Sequence, residues 1–171
     1  MGDDGDQTFE GGAGSDEFHG GLGDDTIAGG TETDLFFYRG GVDTILDFDP
    51  ATELISFQEA DAIAPVYSFA DLSGIMSDDG VDTTIDFGGG NQIVLIGVVE
   101  AQLSATNFTY SGQVIDGTSG DDVSVGGDGG DEINALEGAD VVSGGLGPDV
   151  ISGGAGFDTL DYSADPGGVT V

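Results

Sequence analysis

The chain has 171 residues, and its 34 acidic side chains against one basic side chain give a formal net charge of −33. That charge excludes nucleic acid and anionic membrane surfaces as partners, because both are bound through Lys and Arg. The absence of cysteine excludes disulfides and thiolate metal sites, and the single histidine, His19, excludes multi-histidine metal sites. The mean hydropathy of +0.02 is too high for a disordered acidic tail. We therefore expect a folded protein neutralised by hard cations, which prefer oxygen ligands.

A nine-residue pattern runs through two blocks of the sequence. The first block, residues 2–46, reads GDDGDQTFE, GGAGSDEFH, GGLGDDTIA, GGTETDLFF and YRGGVDTIL. The second block, residues 117–161, reads GTSGDDVSV, GGDGGDEIN, ALEGADVVS, GGLGPDVIS and GGAGFDTLD. The sixth position is Asp in nine of the ten segments, with Gln7 as the exception, and the eighth is apolar in nine of ten, with Ser124 as the exception. A flexible glycine-rich linker would not keep two residue classes at fixed positions.

Each segment predicts a turn followed by a short strand. Glycine at positions one, two and four permits tightly turned or left-handed backbone, and positions seven to nine form a strand whose central side chain points inward. Two segments complete one coil of 18 residues, so segment n stacks on segment n+2. Stacked strands lie about 4.8 Å apart and calcium binds oxygen at about 2.3–2.6 Å. An ion between two stacked turns therefore reaches both of them.

Stacking of the same coils without a cation is unfavourable. Two aspartates about 5 Å apart repel each other by roughly 3 kcal/mol at an effective dielectric of about 20, and each three-residue strand buries only one apolar side chain. We therefore expect an ion that binds only the folded state to supply the missing free energy.

The pattern G-G-x-G-x-D-x-U-x, in which U is apolar, resembles the repeat of the calcium-binding repeat-in-toxin (RTX) family. The resemblance implies parallel β-rolls with several bound Ca²⁺ ions. It also implies that carbonyls two and four and Asp six of one repeat face carbonyls one and three and Asp six of repeat n+2. In the first block, this arrangement pairs Gly12, Gly14 and Asp16 with Gly29, Thr31 and Asp34, and Gly21, Gly23 and Asp25 with Tyr38, Gly40 and Asp43; Gly20 and Leu22 join Asp25 in the site that faces Gln7. In the second block, it pairs Thr118, Gly120 and Asp122 with Ala135, Glu137 and Asp140, Gly127, Gly129 and Asp131 with Gly144, Leu146 and Asp149, and Leu136, Gly138 and Asp140 with Gly153, Ala155 and Asp158.

Several positions depart from this pattern. Gln7 lacks a carboxylate, so we expect its site to be weak or empty. Glu32 occupies a glycine position, which argues against a site beyond Asp34. Ala135 and Leu136, like Tyr38–Arg39, replace the glycine pair; their carbonyls remain available, but the backbone there has to turn without glycine.

The period disappears between the two blocks. The stretch from 42 to 57, VDTILDFDPATELISF, leads into an aspartate-rich turn and a new apolar strand, and residues 68–98 predict strands broken by Asp-Gly and Gly-rich turns. ATNFTYSG, residues 105–112, predicts another strand. The segment resembles the cap that follows RTX blocks in secreted enzymes and adhesins. Asp47 and Asp49 are either an added ligand at the end of the roll or part of a solvated turn.

These elements predict an all-β protein in which two parallel β-roll blocks flank a β-strand capping segment. The predicted parts are a first roll at 1–48, the cap at 49–112, a second roll at 113–161 and the start of a following strand segment at 162–171. A new strand begins at Val169, two residues before the last, so we expect a fragment of a larger protein.

The sequence predicts no enzyme and no membrane span. HExxH, GxSxG and the EF-hand loop are absent, and no apolar run approaches the length of a membrane-spanning helix. The first ten residues show no conventional signal peptide. The resemblance implies a calcium-binding module that folds outside the cell, with type I secretion and with the rest of the parent protein as its partner. The alternative is a surface-layer, adhesin or matrix component whose rolls act as spacers or contact polysaccharide or a cell surface.

Overall fold

The computed structural model describes residues 2, 4–58, 60, 63 and 66–163. Contacts divide the chain into one unit of residues 1–109 and another of residues 110–171. Among the described residues, no helix is long and apolar enough to cross a membrane. The strand predicted to start at Val169 lies outside the described residues, and the four-part division with boundaries after residues 48, 112 and 161 stays a prediction.

The described residues of the first unit form ten strands and few other elements. Its strands are β1 (Thr8–Ala13), β2 (Glu17–His19), β3 (Thr26–Thr31), β4 (Leu35–Phe37), β5 (Val42–Ile45), β6 (Leu54–Ser56), β7 (Met76–Asp78), β8 (Thr83–Gly88), β9 (Asn91–Leu95) and β10 (Phe108–Thr109). One helix, α1 (Phe69–Ser73), and two 3₁₀ turns at Glu100–Gln102 and Ala105–Asn107 complete it.

The repeat strands of this unit stack with a period of 18 residues, which confirms the predicted coil. Phe9 pairs in parallel with Ile27 in one sheet, and Phe18 pairs in parallel with Phe36 in the other. The two sheets run in the order β1-β3-β5-β9-β8-β7 and β10-β6-β4-β2. Segments n and n+2 therefore lie against each other, and their turns stack at the ends of the strands.

Eighth-position side chains form the core between the two sheets. Phe18, Ile27, Phe36 and Ile45 are all buried, and the rings of Phe18 and Phe36 stack with their centroids 5.3 Å apart. Each such side chain contributes about 1.5–3 kcal/mol when it is removed from water.

The segment after the first block extends and closes both sheets. β9 pairs in parallel with β5, and the antiparallel strands β8 and β7 follow it, so hairpins close that sheet as predicted. In the other sheet, β6 pairs in parallel with β4, and β10 with β6. The cap therefore continues the parallel stacking before it ends the roll.

Residues 68–98 contain the predicted strands β7, β8 and β9, but the stretch begins with helix α1, which the strand pattern did not predict. Ser68 accepts a hydrogen bond from the N–H of Asp71, and the Asp71 carboxylate accepts one from the N–H of Ser68. This capping box satisfies two N–H groups at the helix start and favours a helical turn over an extended strand.

The second unit contains two short parallel sheets of three strands. They are formed by β11 (Val114–Asp116), β13 (Glu132–Asn134) and β15 (Val150–Ser152), and by β12 (Val123–Val125), β14 (Val141–Ser143) and β16 (Thr159–Leu160). Ile133, Ala135 and Val142 form its buried core. Because β11 pairs with β13 in repeat register, residues 110–116 act as part of one further coil segment, which the nine-residue pattern did not predict.

Left-handed backbone marks positions two and four of the turns. Gly12 and Gly14 have φ values of 95° and 107°. Among the described residues, only two that are not glycine share this conformation, Glu32 at 82° and Leu136 at 74°, and both stand at positions where the pattern has glycine. The left-handed conformation costs a residue with a Cβ about 1–2 kcal/mol, so both turns are strained.

Leu136→Gly should stabilise the second unit. Leu136 is 48% exposed, so little core packing is lost. The relief of left-handed strain is larger than the entropy cost of glycine, and the net stabilisation is about 0.5–1 kcal/mol. In saturating calcium, the midpoint of thermal unfolding should rise by roughly 2–6 °C. Leu146→Gly is the matched control, because Leu146 lies outside the left-handed region, and it should lower the midpoint. Equal effects of the two substitutions would contradict the assignment of strain to Leu136.

Candidate metal centres

The sixth-position aspartates form a ladder that links each coil to the one before it. One carboxylate oxygen, Oδ1, accepts a hydrogen bond from the backbone N–H of the sixth residue in the preceding coil. The donor and acceptor residues are Asp16 and Asp34 (2.9 Å), Asp25 and Asp43 (3.2 Å), Asp122 and Asp140 (2.8 Å), Asp131 and Asp149 (3.0 Å), and Asp140 and Asp158 (3.2 Å). Every pair of aspartates predicted to share a site is therefore brought together, and Asp140 takes part in two pairs.

At several aspartates of this ladder, the second carboxylate oxygen is left for a cation. At Asp122 and Asp131, in contrast, Oδ2 accepts a hydrogen bond from the N–H of Thr118 (2.6 Å) and of Gly127 (2.8 Å), respectively. Oδ2 of Asp16, Asp34 and Asp140 is buried and has no hydrogen-bond partner, and the side chains of Asp34 and Asp140 are only 1% exposed. A buried, unpaired carboxylate oxygen carries a large desolvation cost. A calcium ion removes that cost because it takes carboxylate oxygens as ligands. The donor set therefore fits calcium.

The glycine at position one leaves room for this oxygen. A Cβ added at Gly11 would lie 2.6 Å from Oδ2 of Asp16, and one added at Gly153 would lie 2.6 Å from Oδ2 of Asp158. Neither glycine has a left-handed φ. In these two repeats, position one therefore requires glycine for space rather than for a left-handed backbone, whereas Ala135 and Tyr38 hold the same position in other repeats.

Backbone carbonyls have to complete any such site. Among the described residues, no group of three or more acidic or histidine side chains lies close enough to hold a metal ion by itself. Some of the predicted carbonyl ligands also accept hydrogen bonds between coils: the carbonyl of Gly127 accepts one from Leu146 N–H (2.9 Å), and that of Leu136 accepts one from Ala155 N–H (2.7 Å). A carbonyl has two lone pairs, so each keeps one for an ion.

Fifth-position aspartates form a second ladder, which the sequence analysis missed. Asp6 accepts a hydrogen bond from the N–H of Asp24 (3.0 Å), and Asp24 accepts one from that of Val42 (2.8 Å). In the second unit, Asp121 accepts from the N–H of Ala139 (2.9 Å). These side chains reach forward to the next coil, whereas the sixth-position side chains reach back. The consecutive aspartates Asp24–Asp25 and Asp121–Asp122 were the feature of the sequence that could have predicted this second ladder.

Each roll carries a glutamine at the sixth position of its first coil segment. The backbone N–H of Gln7 donates to Asp25 Oδ1 (2.9 Å), and that of Gln113 donates to Asp131 Oδ1 (2.6 Å). The hydrogen-bond ladder thus continues through both residues without a carboxylate. The weak or empty site next to Gln7 stays a prediction.

Asp47 and Asp49, at the end of the first block, accept hydrogen bonds from backbone N–H groups. Asp47 accepts hydrogen bonds from Gly29 N–H through Oδ1 (2.8 Å) and from Gly30 N–H through Oδ2 (3.0 Å). Oδ1 of Asp49 accepts one from Ala51 N–H (2.9 Å). Both residues therefore act as turn caps, which favours the turn over the added ligand among the two expected roles.

Burial raises the pKa of two acidic side chains near these turns. Asp43 is 4% exposed, and burial, followed by the charges of Asp25 and Asp24, raises its pKa to about 7 despite a hydrogen bond from the Asp25 backbone. Burial and the neighbouring charges of Asp34, Asp47 and Asp49 likewise raise the pKa of Glu53 to about 7. In the calcium-free chain, both groups favour the protonated form at slightly acid pH.

Comparison with known proteins identifies the repeats. The family model for RTX calcium-binding nonapeptide repeats matches in 4 copies, over residues 1–36, 116–151 and 144–161. Among solved structures, the chain is similar to the solution structure of a subunit of the Azotobacter vinelandii mannuronan C5-epimerase, with 22% sequence identity and a TM-score of 0.35, over 63% of this chain and 80% of that chain. No match was found among curated proteins. The strand registers described above, rather than this TM-score, establish the parallel roll.

In calcium-free buffer, acidification from pH 7.5 to pH 5 should increase the β-structure of the first unit. The folded-state pKa of Asp43, about 7, lies above its ordinary value of 3.8, so the folded state binds more protons than the unfolded state between these values. Stability contributed by this group is therefore present at low pH and is lost as the pH rises through about 7. Far-UV circular dichroism at both pH values measures the change.

Asp43→Asn is the control for this prediction, because the amide resembles the protonated acid and should reduce the pH dependence. A wild-type spectrum with less β-structure at pH 5 than at pH 7.5 would show that the raised pKa of Asp43 does not govern folding.

Proposed function

Because the chain belongs to the RTX calcium-binding nonapeptide repeat family, we propose that it is a calcium-dependent folding module of a larger extracellular or cell-surface protein. The observation that carries this proposal is the buried second oxygen of the sixth-position aspartates, which lacks a hydrogen bond at Asp16, Asp34 and Asp140. A chain with a net charge of −33 has one basic residue to offset these carboxylates. The charge therefore has to be balanced from outside the chain.

In this proposal, five aspartate pairs each hold one ion together with the carbonyls of their turns. The pairs are Asp16 with Asp34, Asp25 with Asp43, Asp122 with Asp140, Asp131 with Asp149, and Asp140 with Asp158. The carbonyls are those of positions two and four in one repeat and of positions one and three in repeat n+2, as the family pattern implies. Calcium supplies positive charge at these oxygens, and the chain supplies a prearranged set of ligands.

Because folding depends on calcium, the module folds in response to the calcium concentration around it. At low calcium concentration, the repulsion between stacked aspartates opposes folding, so the chain stays extended while it is exported. At the higher calcium concentration outside the cell, binding to the folded state alone shifts the equilibrium towards the roll. The proposed role is therefore to support secretion, folding and stability of the parent protein, and it includes no catalytic step.

Far-UV circular dichroism of chelator-stripped protein tests this function. The spectrum should be that of an unfolded chain without calcium, and β-structure should appear cooperatively as calcium is added. Magnesium at the same concentrations is the control, because its preference for a rigid octahedral site with bound water makes it a poor substitute. A β-spectrum that persists in chelator would contradict the proposal that the ion drives folding.

A further inference from the structure

One coil of the first unit lies outside the nine-residue pattern but repeats its hydrogen bonds. In the repeats, the seventh residue donates its N–H to the carbonyl of the sixth residue one coil earlier, as Leu35 does to Asp16 (2.9 Å). Leu54 donates in the same way to the carbonyl of Asp34 (3.2 Å), and it pairs with Leu35 in the parallel sheet. Leu54 therefore occupies the seventh position of a further coil.

The residue before Leu54 then holds the sixth position, which belongs to aspartate in the repeats. That residue is Glu53, whose side chain is 2% exposed. It lies 19 residues after Asp34 rather than 18, so the chain makes a turn that is one residue longer. The longer side chain of glutamate suits this altered spacing, and no family match covers the position, since the first match ends at residue 36.

The carboxylate oxygens near Glu53 differ in whether they accept a hydrogen bond. Oε2 of Glu53 accepts a hydrogen bond from Asp49 N–H (2.9 Å). Asp47 uses both of its carboxylate oxygens as acceptors for backbone N–H groups. In contrast, Oδ2 of Asp34 is buried without a hydrogen-bond partner. Since Leu54 N–H bonds to the Asp34 carbonyl, the register places Glu53 one coil beyond Asp34, and both side chains are buried at this end of the roll.

The turn that leads to Asp34 also has the required backbone. Glu32 stands where the pattern has glycine, which argued against a site here, but its φ of 82° gives the left-handed conformation that glycine gives elsewhere. The Glu32 side chain is exposed and leaves the turn open. Positions two and four of this turn, Gly30 and Glu32, therefore share the left-handed backbone of Gly12 and Gly14 one coil earlier.

From this arrangement, we propose that Asp34 and Glu53 hold a further calcium ion, which joins the last coil of the repeats to the cap. The inference rests on the proposed calcium-binding function and extends it to a residue outside the repeats. Its ligands are the two carboxylates and the carbonyls of the turn at Gly30 and Glu32. Calcium suits such a site because it accepts six to eight oxygens in flexible geometry. Binding of this ion would order the start of the cap together with the roll.

Equilibrium dialysis of the full chain against calcium tests this site through the number of ions bound. Glu53→Gln keeps an acceptor for Asp49 N–H and removes the charge, so it should bind one calcium ion fewer than the wild type. Asp49→Asn is the matched control: it removes a nearby charge, keeps the acceptor for Ala51 N–H, and should leave the number of ions unchanged. Asp140→Asn in the other unit should lower the number through the repeat sites alone.

The outcomes separate this site from the proposed function. A wild-type chain that binds no calcium would overturn both. A normal number of ions in Glu53→Gln, with fewer in Asp140→Asn, would overturn the Asp34–Glu53 site and keep the calcium-binding repeats. Equal losses in Glu53→Gln and Asp49→Asn would assign the effect to charge in general and also overturn the site.

A second variant covers the case in which Glu53→Gln does not fold in saturating calcium. Glu53→Asp keeps the charge but shortens the side chain by one methylene, so one site should lose at least tenfold in calcium affinity while the number of ions at saturation stays the same. Unchanged affinity at every site would contradict a role of Glu53 as a ligand.

Discussion

The two oxygens of a sixth-position carboxylate have different roles, and the rest of the structure depends on both. One oxygen accepts a hydrogen bond from the backbone of the preceding coil, as Asp34 does from Asp16. The other is buried without a hydrogen-bond partner at Asp34 and Asp140, and at Asp34 it lies where a Cβ on Gly29 would clash with it. The hydrogen bond fixes the register of the coils, and the second oxygen makes that register costly until a cation is bound. Register and metal dependence thus come from the same side chain.

The two units offset the cost of burying these carboxylate oxygens with different apolar cores. The first unit stacks aromatic rings between its sheets and adds the strands β6 to β10 as a cap, so it buries large apolar side chains such as Phe36 and Phe57. The second unit buries Ile133, Ala135 and Val142 as its core cluster, with Ile115 and Ile151 only partly buried, and Ser124 takes a core position. Because apolar burial scales with area, the second unit relies more on its ions.

Much of this arrangement could be predicted from sequence because the period is strict. Aspartate at position six and an apolar residue at position eight predicted the strands, the 18-residue coil and the pairing of Asp122 with Asp140. Single-residue features were harder to predict. Helix α1 depends on a local capping box at Ser68. The added coil segment of the second unit has Gln113 in the register of the sixth position, and Glu53 follows a turn that is one residue too long. For the helix, the local capping box outweighs the strand pattern, whereas for Gln113 and Glu53 the register with the neighbouring coil overrides the linear pattern.

The dependence of the unfolding free energy on free calcium concentration tests the central claim most directly. Each ion that binds only the folded state adds about 1.4 kcal/mol of stability for every tenfold rise in free calcium above its dissociation constant. Urea unfolding over a range of calcium concentrations should therefore give a slope equivalent to at least two ions in each unit. A free energy of unfolding that does not change with calcium would contradict the account, because the buried carboxylate oxygens would then be tolerated without an ion.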